Sequence, residues 1–146
     1  MITKTYWQNG EEFSITEDFN RIKNNISSIH DLAERIFGSI PYQAIPEKTF
    51  SDFYFVDDCN NIEKNLQAII DAINIPNLFK PTKELMGNVP IWDAKDINRI
   101  ESTTLAIRNY LTNANKLPVV LATTLGGTIF DGKLKNWLSR FNIYWR

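Results

Sequence analysis

The sequence has a single cysteine, Cys59, and a single histidine, His30. One cysteine excludes an internal disulfide and a thiolate cluster, and one distant histidine does not complete a zinc site. A basic excess is missing too. The 16 Lys and Arg stand against 17 Asp and Glu, so overall charge does not favour a phosphate backbone as partner, though a local basic patch is compatible with it. No apolar run is long enough to span a bilayer. The first residues, MITKTYWQNGEE, turn polar at once and hold no apolar signal core, so a soluble chain made in the cytosol is expected. Catalytic spacings are absent as well: there is no HExxH and no EF-hand carboxylate pattern. Leu125-Gly126-Gly127-Thr128 lacks the spaced glycines and the lysine of a phosphate loop, and a turn is expected there.

What is present is a globular composition, 43% apolar and 12% aromatic, in a length that suits one domain with its own core. Three segments align without gaps: DFNRIKNNISSIHDLA from Asp18, DCNNIEKNLQAIIDAI from Asp58 and DINRIESTTLAIRNYL from Asp96. Four positions are identical in all three, namely the leading Asp, the Asn two later (Asn20, Asn60, Asn98), the Ile four later and the Ile eleven later. Apolar residues at +1, +4, +8, +11 and +15 form one stripe along an α-helix. Any three amphipathic helices from a chain rich in Ile and Asn could share such a stripe. That reading leaves the common Asp-x-Asn without a cause. A carboxylate suits the first turn, where backbone N–H groups lack partners and the helix dipole is positive. Asparagine is a poor interior helix residue, so its return at one position predicts that each amide bonds backbone, most simply that of the segment entering its own helix.

The fold class that follows is mainly α: one domain, 1–146, with a three-helix repeat of period about 40 residues and long loops. Helices are predicted at about 16–37, 56–74 and 93–113. Ser14 and Glu17 are spaced as a capping box for the first; Asp93 would cap the third, which should stop before Pro118. The ends, 2–15 and 118–146, read as strand-like. Asn9-Gly10 predicts a type I′ hairpin turn, Pro118–Thr123 a strand, and Asp131-Gly132 a second turn. KLKNWLSRF after that turn suits a strand or a short amphipathic helix equally.

No catalytic, cofactor-binding or metal-binding residue emerges. His30 falls on the polar side of its stripe and is expected in solvent; Cys59 falls on the apolar face as a small core residue. Asp57-Asp58 and Glu11-Glu12 read as solvated surface. Asp18, Asn20, Arg21, Asp58, Asn60, Asp96, Asn98 and Arg99 read as a structural motif. Of the four tryptophans, Trp7, Trp92 and Trp137 suit core or loop anchors. Trp145, with Tyr144, suits a partner surface, having little chain around it to bury it.

The segments EDFNRIKNNI and WDAKDINRIE resemble a D-x-N-R-I-E motif that recurs in tail, baseplate and fibre-associated structural proteins of tailed bacteriophages infecting Firmicutes. Asn61 replaces the arginine in the middle copy, and Lys23 replaces the glutamate in the first. The resemblance implies a non-enzymatic virion component, made in the host cytoplasm, forming homo-oligomers and contacting other virion proteins. It implies no nucleic acid, membrane, small-molecule substrate or cofactor. Two other classes stay open: a small intracellular protein-binding or regulatory module, and an enzyme with an unrecognised carboxylate site.

Overall fold

The computed structural model describes residues 1–53, 56–74, 83–87 and 92–124, with only the backbone described over 115–124. It is helical and, among the described residues, contains no strand. A π-helical turn, Ile15–Phe19, leads into α1, Asn20–Phe37; α2 is Val56–Ile73 and α3 is Ala94–Thr124. No helix among the described residues is long and apolar enough to cross a membrane.

The apolar stripes meet in one core. Phe19, Ile22, Ile26, Ile29 and Ala33 of the first segment, and Ile62, Leu66, Ile69 and Ile73 of the second, are buried together with Ile97, Ile100, Ile107 and Leu111 of the third. Thr104, at the stripe position where Ile26 and Leu66 stand, is also buried, its hydroxyl donating to the Ile100 carbonyl at 2.8 Å. A hydroxyl is tolerated there because its own helix satisfies it.

The three helices run parallel. Early residues of α3 pair with early residues of α1 and α2 (Arg21 with Glu101, Arg99 with Glu63), while the late stripe residues Ala33, Ile73 and Leu111 share the core. Parallel neighbours cannot be joined by tight turns. An 18-residue helix is about 27 Å long, and the chain must retrace that length before the next can begin. The long connections are these returns, and where they are described they lie as extended straps against the helices. The described residues are 1–14 in the first strap, 38–53 in the second, and 83–87 with 92–93 in the third.

Helix ends follow local chemistry. Gly38, at φ 92°, ends α1 with its N–H on the Glu34 carbonyl. Asn74, at φ 49°, ends α2; asparagine tolerates this left-handed conformation better than most side chains. Asp93 caps α3, accepting the Asp96 N–H at 2.8 Å. Ser14 Oγ accepts the Glu17 N–H as expected, but the reciprocal bond to the Ser14 N–H comes from Asp18, not Glu17. The π-helical turn carries one extra residue, which moves the returning carboxylate one place along the chain.

Three expectations fail. Helix α3 does not stop before Pro118 but continues to Thr124, so Pro118–Thr123 is helix and not strand. Proline there removes one backbone hydrogen bond, but no glycine breaks the chain before Gly126. Asn9-Gly10 does make a turn, with the Glu11 N–H on the Gln8 carbonyl at 3.1 Å, yet it joins no strands. Only Gly10 of the two has positive φ, which fits a type II turn and not type I′. The Asp131-Gly132 turn and KLKNWLSRF lie outside the described residues.

Candidate functional site: the clamps between helices and straps

An extended strap lying on helices has no neighbouring strand, so its backbone N–H and C=O groups need other partners. Helix side chains provide them. Asn20 accepts the Lys48 N–H at 2.9 Å and donates to the Lys48 carbonyl at 2.7 Å, with a further bond to the Thr16 carbonyl. Asn60 holds Leu85 in the same two-bond way at 2.7 and 2.9 Å, and Asn98 holds Trp7 at 2.8 and 2.9 Å. A carboxamide carries a donor and an acceptor side by side, matching the donor and acceptor of one extended residue. No other small side chain does this, which is why asparagine returns here despite its poor helix propensity.

The partner is backbone, as the sequence suggested, but mainly that of a different strap. Asn20 of α1 clamps the second strap, which enters α2. Asn60 of α2 clamps the third, which enters α3. Asn98 of α3 clamps the first, which leads to α1. The order closes on itself. A second asparagine, five residues later, grips the strap of its own helix: Asn25 donates to the Ile2 carbonyl at 2.7 Å, and Asn65 makes two bonds to Gln43. Thr103 occupies that place on α3. Its hydroxyl is buried and has no partner among the described residues.

Charges bridge two of the three junctions of the same ring. Arg99 of α3 makes paired bonds to Glu63 of α2, one of them at 3.0 Å. Arg21 of α1 lies 2.7 Å from Glu101 of α3, off hydrogen-bond alignment, and bonds Asp18 at 3.0 Å. Burial disfavours the Arg21 charge, but the ion pairs with Asp18 and Glu101 more than offset it, and its pKa lies above the ordinary guanidinium value. Both glutamates also accept strap N–H groups, Glu63 from Lys83 and Glu101 from Lys4. By the same rotation the third pair would join residue 61 of α2 to residue 23 of α1. Those are the two positions that depart from the motif, Asn61 and Lys23, so both departures fall at one junction. Lys23 there pairs with Glu47 of the second strap, and that strap has Pro46, which lacks an N–H for a glutamate to accept.

The leading aspartates sit where three parallel dipoles expose their positive ends. Asp18 accepts the Ser14 N–H, Asp58 pairs with Lys48 at 2.8 Å, and Asp96 pairs with Lys83 at 2.9 Å. All eight motif residues are thus engaged within the chain. No family model, curated protein or solved structure matches the chain.

His30 is not in solvent. It is 6% exposed, its Nε2 lies 2.9 Å from the Ile40 carbonyl, and its ring packs on Tyr42 at 4.6 Å. The Glu34 carboxylate accepts the Ile40 N–H at 3.0 Å, so two side chains clamp Ile40 as one asparagine clamps Lys48. The stripe predicted which face meets the other helices; it carried no information about the flank that a strap covers. Cys59 is wholly buried, as expected, and burial with the nearby Asp58 and Glu63 carboxylates raises its pKa, keeping the thiol protonated. Asp57, Glu11 and Glu12 are exposed. Trp7 is buried and packs on Phe13 at 5.6 Å; Trp92 stacks on Phe19 at 6.2 Å. Trp137, Tyr144 and Trp145 lie outside the described residues. Among the described residues, no group of three or more His, Cys, Asp or Glu side chains is arranged to hold a metal ion.

Proposed function

We propose that this chain is a non-enzymatic structural protein of a tailed-bacteriophage virion, tail, baseplate or fibre associated, working by contact with other virion proteins and with further copies of itself. The observation that carries the reading is the twice-written D-x-N-R-I segment, Asp18–Ile22 and Asp96–Ile100, with its resemblance to motifs of such proteins. Its polar residues are engaged in holding straps and neighbouring helices, the use expected of an architectural motif. In the same reading the chain is three strap-and-helix units with a period of about forty residues, arranged cyclically. A repeat that closes on itself presents three related surfaces, a form suited to a part that meets symmetric neighbours.

The test is mass spectrometry of gradient-purified particles from a Firmicutes culture that encodes the chain. Its peptides should appear in the particle fraction. Peptides confined to the unassembled lysate, from a chain that sediments as a monomer at every concentration, would refute the virion role and favour a protein-binding or regulatory module.

A further inference from the structure

One end of the bundle differs from the rest of the described surface. The clamped residues Trp7, Lys48 and Leu85 lie beside the first turns of α3, α1 and α2, so all three mark the end where the helices begin. Within two residues of each stands a large apolar side chain in solvent: Tyr6 at 86% exposure, Phe50 at 96% and Met86 at 72%. The helix side chains grip strap backbone at Trp7, Lys48 and Leu85, and these neighbouring apolar side chains remain outside. Among the exposed charged residues around them acids predominate: Glu11, Glu12, Glu17, Asp52, Asp57, Glu84 and Asp93, against Lys4, Lys83 and Lys95. Of the lysines at this end, Lys4 pairs with Glu11, Lys48 with Asp58 and Lys83 with Asp96, while Lys95 is exposed. The face is therefore three apolar tips in an acidic surround.

The chain carries the complement of this face at its other end. Sixteen of its seventeen acidic residues fall within 1–101, against ten basic ones, whereas the remaining 45 residues hold six basic and one acidic. The last 22, 125–146, contain Lys133, Lys135, Arg140 and Arg146 against Asp131, together with five aromatics. They follow the end of α3. That helix runs 13 residues past Leu111, its last stripe position, or about 20 Å away from the acidic face.

We infer that the acidic, apolar-tipped face of one copy receives the basic, aromatic segment 125–146 of a second copy, joining chains head to tail. The inference rests on the reading that the chain acts through contacts with its own kind. Complementary charge would steer the encounter and the apolar tips would provide the buried contact. A head-to-tail contact uses two different patches, so it extends into a stack or closes into a ring.

The experiment titrates the full chain against a fluorescently labelled peptide of residues 125–146, read by anisotropy, beside sedimentation velocity over a range of concentration and salt. The chain should form larger species as concentration rises, dissociate in high salt, and bind the peptide. The triple variant Tyr6→Ser, Phe50→Ser, Met86→Ser should bind the peptide at least about tenfold more weakly, as expected when central interface anchors are removed, with unchanged helical circular dichroism. These side chains are in solvent, so the variant keeps its core. Absence of peptide binding by the natural chain, or equal binding by the variant, overturns the inference. So does a chain monomeric at all concentrations whose tail cross-links to its own face. None of these results removes the chain from purified particles, so the virion reading is judged separately.

Discussion

Asn60→Ala removes the two bonds that hold Leu85, a residue 4% exposed whose N–H and C=O have no evident route to water. Alanine is the better helix residue by up to ~0.7 kcal/mol, so a solvated Asn60 would give a small gain on replacement. Each buried backbone group left unpaired costs about 1–3 kcal/mol, partly relieved if the strap lifts toward solvent. The expected net loss is on the order of 2–4 kcal/mol at Asn60. At Asn20 it should be smaller, about 1–3 kcal/mol, because Lys48 is half-buried and water can replace part of the bond. Asn98, whose partner Trp7 is buried but whose bonds lie nearer the surface, should fall between them. In a chain of this size 1 kcal/mol moves the melting temperature by about 2–4 °C, so thermal melts resolve all three. Asn60→Asp provides a control, since it keeps the acceptor for the Leu85 N–H and sets a second oxygen against the carbonyl. It should lose stability without any change in side-chain size. Three small gains on alanine substitution would refute the clamp reasoning.

His30→Ala should destabilise by about 1–3 kcal/mol in denaturant titrations, through loss of the Ile40 bond and the Tyr42 contact; an unchanged midpoint would mean the second strap is held without it. At the α1/α2 junction, Lys23→Glu alone should destabilise by placing a carboxylate beside Glu47, and adding Asn61→Arg should recover at least about 1 kcal/mol. Additive effects in that cycle would show that the two positions do not face each other. The Asp96 N–H holds the Asp93 carboxyl below its ordinary value of 3.8, so its contribution is complete above that value and is lost as pH falls through the lower folded one. Asp93→Ser keeps a cap that does not titrate, and urea midpoints below pH 3.8 should depend less on pH than those of the natural chain.

The stripes were legible because helical periodicity is local: Ile22, Ile62 and Ile100 announce their face within their own segments. The helix ends at Gly38 and Asn74 were legible for the same reason. The role of Asn20, Asn60 and Asn98 could be read in kind, since an amide repeated in helix interiors needs a reason. Its partner could not, because the strap lies 25 to 91 residues away in sequence and no local rule selects the next strap over its own. His30 was misplaced because a strap, not a helix, covers it. Pro118 was overweighted: its cost is one hydrogen bond and a local clash, and a long helix absorbed it. A signal for the straps was nevertheless present in the paired departures Asn61 and Lys23, which make sense only when the ring of contacts is known.

The ring also has a seam. The first and second straps both occupy grooves beside α1, but Asn20 reaches Lys48 across 28 residues, whereas Asn98 reaches Trp7 across 91. Closing the longer span costs about 1 kcal/mol more in chain entropy. Synthesis adds a delay: Trp7 leaves the ribosome some 90 residues before Asn98, roughly 5–20 s at ordinary elongation rates. During that interval the aromatic face of the first strap has no groove to enter, and the side of α1 that α3 will cover stays open. The nascent chain is thus exposed to association with its neighbours on a polysome until α3 emerges. Residues 1–14 should be the last part to dock during folding and the first to exchange hydrogen in the finished protein.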